Sequence, residues 1–62
     1  MEITKATFLD TMEEVLLGEV NADYITKSEM KDYIKDIKKF IKNAKTGDIY
    51  YYSGNAYIIT NC

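Results

Sequence analysis

The apolar residues of this chain change their spacing once, at Gly47, and that change determines the class of fold. Before it, large apolar side chains recur every three or four residues: Phe8, Leu9, Met12, Val15 and Leu16 in one run, then Met30, Tyr33, Ile34, Ile37, Phe40, Ile41 and Ala44 in another. After it, the stretch GDIYYYSGNAYIIT (residues 47–60) alternates with a period of two around a single Ser-Gly-Asn. The first spacing lays side chains along one face of a helix, and the second along one face of a strand. The reading is an α+β domain, two amphipathic helices followed by a C-terminal two-stranded antiparallel β-hairpin, in the order α-α-β-β.

Local signals set the expected boundaries. The first helix is predicted over about residues 4–17, with Gly18 as its stop. Residues 18–25 form a connector in which Val20, Ala22 and Tyr24 alternate as in a short strand, or turn so as to drop Tyr24 and Ile25 into the core. Thr26-Lys27-Ser28-Glu29 is a capping box, since Thr26 can accept from the Glu29 amide while Glu29 reaches back to the cap. A second helix over about 27–45 follows, closed by Lys45 and Gly47. The hairpin occupies about 48–60, with Gly54-Asn55 as a two-residue turn. That register sets Tyr52 opposite Tyr57 and Tyr50 opposite Ile59, with Ile49, Tyr51 and Ile58 on the reverse face; a slip to Ser53-Gly54 changes the partners.

At 62 residues the chain is one domain with a marginal core, and the usual staples of small domains are missing. There is no histidine, and the one cysteine, Cys62, is the last residue, which leaves neither an internal disulfide nor a zinc ligand set. The same absences remove the ordinary nucleophile and base arrangements. Asp10, Glu13 and Glu14 could pair as acid and base, but they fall on a solvated helix face where nothing would separate their pKa values. The three glycines stand singly at expected element boundaries, so no phosphate-cradling loop is present. A non-enzymatic protein without metal or cofactor is expected. Met1-Glu2-Ile3 has no basic lead of a secretion signal and no apolar run reaches the ~20 residues of a membrane span, so a cytoplasmic setting is expected and no membrane.

Charge is distributed unevenly. Residues 1–26 carry one lysine against six acids, whereas residues 27–45 carry seven lysines against three acids. On a helical wheel those seven lysines fall within about a third of the circumference. Lys31, Lys35, Lys38 and Lys42 are thus either the solvated flank of an amphipathic helix or an anion-facing stripe for phosphates or an acidic protein. With no arginine in the chain, a stripe of point charges suits backbone contact better than base reading.

A hairpin beside two helices can bury only one face. If Ile49, Tyr51 and Ile58 face the helices, Tyr50, Tyr52, Tyr57 and Ile59 form an exposed aromatic patch suited to a protein partner. An open strand edge would also admit a partner strand or a second copy, giving a homodimer through the hairpin edge. Phe, Tyr, Met, Ile, Asn and Lys make up half of the chain, the amino acids of AT-rich codons. Together these features give the functional expectation: a small protein-binding module, encoded by a phage or mobile element, that inhibits or redirects a larger host protein in the host cytoplasm, an anti-defence inhibitor of the anti-CRISPR type being one example. The alternatives are a nucleic-acid-binding or transcription-modulating module using the lysine stripe, and a homo-oligomeric structural or assembly protein.

Overall fold

The computed structural model describes residues 1–60. Two helices are followed by two C-terminal strands in a small sheet, forming a single α+β domain with a Cα radius of gyration of 11.5 Å. The elements are β1 (Glu2–Ile3), α1 (Lys5–Asn21), α2 (Lys27–Asn43), β2 (Ile49–Tyr52) and β3 (Asn55–Ile59). The sheet has the order β1-β3-β2, with β1 parallel and β2 antiparallel to the central β3.

α1 starts at Thr4, whose side chain accepts from the Thr7 amide at 3.3 Å. It does not stop at Gly18, as expected from the sequence, but continues to Asn21. A glycine inside a helix costs only about 1 kcal/mol relative to alanine. The real stop is at Ala22-Asp23-Tyr24. Asp23 takes φ 62, the Tyr24 amide donates to Glu19 O at 2.9 Å and the Asp23 amide to Val20 O at 3.1 Å. This is a Schellman closure with aspartate in the left-handed position that glycine usually fills. Of the two residues considered for the core here, Ile25 packs against it, whereas Tyr24 is 79% exposed.

α2 begins with the expected capping box, Glu29 N donating to Thr26 Oγ1 at 3.1 Å and Thr26 N to Glu29 Oε1 at 3.0 Å. After α2 the Asp48 amide donates to Lys45 O, the Asp48 carboxylate accepts from the Lys45 amide, and Gly47 turns the chain at φ 98. β2 and β3 pair with Tyr50 opposite Tyr57, Tyr51 opposite Ala56 and Ile49 opposite Ile58. The turn is therefore Ser53-Gly54, at φ 50 and φ 80, and not Gly54-Asn55. A two-residue turn with both φ positive favours glycine in its second place, and only the observed register puts Gly54 there.

That shift of the turn moves cross-strand partners by two, so it leaves the two face sets intact. The expectation that fails is which set faces the helices. Tyr57 and Ile59 are buried, and Tyr50 and Tyr52 are half-buried against the same core, while Ile49 and Tyr51 are exposed. The inward set has three tyrosines and an isoleucine, which offer the helices more apolar area than Ile49, Tyr51, Ala56 and Ile58 do. It also meets aromatic partners: Phe8 lies 5.5 Å from Tyr50 and 5.3 Å from Tyr57 between ring centroids, and Phe40 lies 5.1 Å from Tyr50.

β1 is a strand that the sequence reading lacks. It places Ile3 beside Ile59 in the core and is held by Ile58 N donating to Met1 O at 2.7 Å and Thr60 N to Ile3 O at 2.9 Å. The rest of the core is the α1 stripe Phe8, Met12 and Leu16, together with Ile37 and Ala44.

Candidate protein-binding surface

Both helices lie on one side of the sheet, so the other side is open. Its register is read directly from the pairing: Ile58 sits in the middle, between Ile49 of β2 and Glu2 of β1, and Tyr51 lies beside Ala56. Tyr51 is 73% exposed and Ile49 42% exposed, while Ala56 and Ile58 are partly covered by their neighbours. An aromatic ring standing on an aliphatic floor is the composition of an interface anchor.

The edge of β2 adds a second property. Among the described residues no strand lies on its outer side. The Ile59 amide donates to Asp48 O, so the antiparallel alternation points the peptide groups of Ile49 and Tyr51 away from β3. Side chains and main chain of the same two residues are therefore offered together, one to the open face and the other to the open edge.

The residues expected to form the patch are placed otherwise. Tyr57 is 5% exposed and Ile59 fully buried, and neither reaches the surface as an anchor. Tyr50 and Tyr52 tuck their rings inward and carry their hydroxyls to the rim, where Tyr50 donates to Asp36 Oδ2 at 3.0 Å and Tyr52 donates to Glu19 Oε2. The Tyr52 ring also meets Tyr33 edge-on at 5.4 Å. Burial, reinforced by donation to Asp36, pushes the Tyr50 phenol up to about 12. Burial and donation to Glu19 likewise raise that of Tyr52. In both cases the neutral phenol is the form the fold holds, because ionisation would set a partly desolvated phenolate against a carboxylate. The signal that could have oriented the hairpin is the pair of acids, Glu19 and Asp36, available to accept from inward-facing tyrosines.

The lysines are where the wheel sets them. Lys31, Lys35, Lys38 and Lys42 are all exposed on α2. Lys31, Lys35 and Lys38 flank a groove whose floor includes Leu17 and Val20 of α1 and Met30 and Ile34 of α2. Across that floor stand Asp10, Glu13 and Glu14. Among the described residues no group of three or more acidic or cysteine side chains is placed to hold a metal ion, and no helix is long and apolar enough to cross a membrane. Cys62 lies outside the described residues.

No protein-family model, curated protein or solved structure matches the chain.

Proposed function

We propose that the chain is a non-enzymatic protein-binding module whose contact surface is the open face of the sheet, with Tyr51 as its anchor and Ile49 and Ile58 around it. The observation that carries this reading is the exposure of Tyr51 on the side of the sheet that no helix covers. The inward tyrosines complete the core, and on the open side of the sheet Tyr51 and Ile49 are the large apolar residues left outside. Such a ring supplies contact area at little conformational cost on binding. The open β2 edge supports strand addition by the partner at the same place.

The setting proposed with it is the cytoplasm of a bacterial host, the protein being encoded by a phage or mobile element and acting by occupying a surface of a larger host protein. The composition supports that setting. The direct test is retention of a host protein from nuclease-treated lysate at moderate salt by the wild-type chain, Tyr51→Ala and Lys35→Glu/Lys38→Glu. The reading requires that Tyr51→Ala lose the partner while the lysine variant keeps it. The second reading, contact with nucleic acid through the exposed lysines of α2, requires the opposite pattern and a steep fall of binding with salt.

A further inference from the structure

The helix pair has a second open face, turned away from the sheet. Leu16 is fully buried under the sheet, and Leu17, about 100° further round the helix, is 51% exposed. With Met30 and Ile34 it forms an apolar seam between α1 and α2. The two banks of the seam have opposite charge: Lys31, Lys35 and Lys38 on the α2 side and Asp10, Glu13 and Glu14 on the α1 side, with Asp32 also on the lysine side. A partner that fits must carry an apolar strip with a negative bank and a positive bank in the reverse arrangement.

The chain itself is such a partner. A two-fold axis running along the helices, in the plane of the seam, reverses left and right and keeps the level along the helix. It sets the lysine bank of one copy over the acidic bank of the other, and Leu17, Met30 and Ile34 of both copies together in the middle. The levels agree as well as the signs. Glu13 and Glu14 border the same groove as Ile34, so they stand at the height of Lys35, and the antiparallel course of the helices brings Asp10 to the height of Lys38. An isologous contact requires this kind of self-complementarity. We infer that the chain forms a homodimer through the α1–α2 seam, a four-helix layer with one sheet on each outer side. The inference concerns a surface separate from the sheet face. Its consequence for binding rests on the function proposed above: two Tyr51 faces would point in opposite directions, making the dimer bivalent.

The test is the mass of the full chain in solution, under reducing conditions so that Cys62 cannot link copies. Light scattering or sedimentation equilibrium should show the mass rising toward twice the monomer between about 10 μM and about 1 mM, the range of weak to moderate association. Leu17→Ser, Lys35→Glu/Lys38→Glu and Glu13→Lys/Glu14→Lys should each weaken self-association at least tenfold while retaining wild-type circular dichroism. The last two should then associate with each other when mixed, because one has two acidic banks and the other two basic banks. Wild-type protein that stays monomeric throughout overturns the inference. So does a dimer indifferent to all three variants, which would place the contact at another face such as the β2 edge, or a mixture of two folded charge variants that does not associate.

Discussion

Removing the Tyr57 ring should cost this domain a large part of its stability, and removing the Tyr51 ring should cost it little. Tyr57 is 5% exposed, lies across from Tyr50 on the inward face of the sheet and packs its ring 5.3 Å from that of Phe8. Replacing a buried aromatic by alanine costs about 3–5 kcal/mol, through lost transfer free energy and the cavity left behind. Whole-domain stabilities run at roughly 0.05–0.15 kcal/mol per residue, about 3–9 kcal/mol for a chain of this length. Tyr57→Ala should therefore lose from about a third to all of its stability. Tyr51, 73% exposed, has little burial to lose, and its alanine variant should fall by about 1 kcal/mol or less, mostly through lost cross-strand contact with Ala56. Urea unfolding followed by far-UV circular dichroism compares the two directly. A Tyr51→Ala protein less stable than Tyr57→Ala would mean that the sheet packs by its other face, and the assignment of the open surface would fall with it.

Three further outcomes follow from particular residues. Gly18→Ala should stabilise α1 by about 0.5–1 kcal/mol, because the position is helical and a Cβ there meets no atom within 4 Å; an unchanged or lower midpoint in a thermal scan would refute it. Ser53→Asn should raise the melting temperature by a few degrees, since Ser53 sits at φ 50 in a turn that favours Asn-Gly. Stability should also fall at high pH: with the Tyr50 phenol raised from 10.0 to about 12 and that of Tyr52 raised too, the unfolded chain loses these protons first. Their contribution is complete below about pH 10 and is lost as pH rises toward the folded values. Urea midpoints from pH 8 to 11 should decline above pH 10 in wild type and less steeply in Tyr50→Phe.

Where several residues carry the same instruction, the fold is legible in the chain. The second helix has a reciprocal cap at Thr26 and Glu29 and an unbroken apolar stripe; it starts where the cap places it but ends at Asn43, before the expected Lys45 and Gly47, because Ala44 already turns extended at ψ 144. The hairpin follows from alternation and from Gly54. A single residue is a weaker guide: Gly18 favours a helix end, but α1 runs on another turn to a Schellman closure at Asp23, with no glycine to announce it. β1 has two residues, too few for any period, and its pairing with β3 spans nearly the whole chain. The orientation of the hairpin depends on contacts that alternation does not encode. Tyrosine fits a wet surface or an apolar interior with a polar exit, and only the tertiary placement of Phe8, Phe40, Glu19 and Asp36 selects the interior for Tyr50, Tyr52 and Tyr57. The lysine stripe was legible from the wheel, whereas the opposed acidic bank required the packing of α1 against α2.

Tyrosine-selective nitration, read residue by residue by mass spectrometry, tests the proposed surface most directly. Tyr24 and Tyr51 are the two most exposed tyrosines, at 79% and 73%, and Tyr57 is the most buried. In the free protein Tyr24 and Tyr51 should react first and Tyr57 last. With the captured host protein bound at saturation, Tyr51 should become protected while Tyr24, in the connector between the helices and off the open sheet face, continues to react at its free rate. Equal reactivity of Tyr51 in the free and bound states would contradict the sheet-face account.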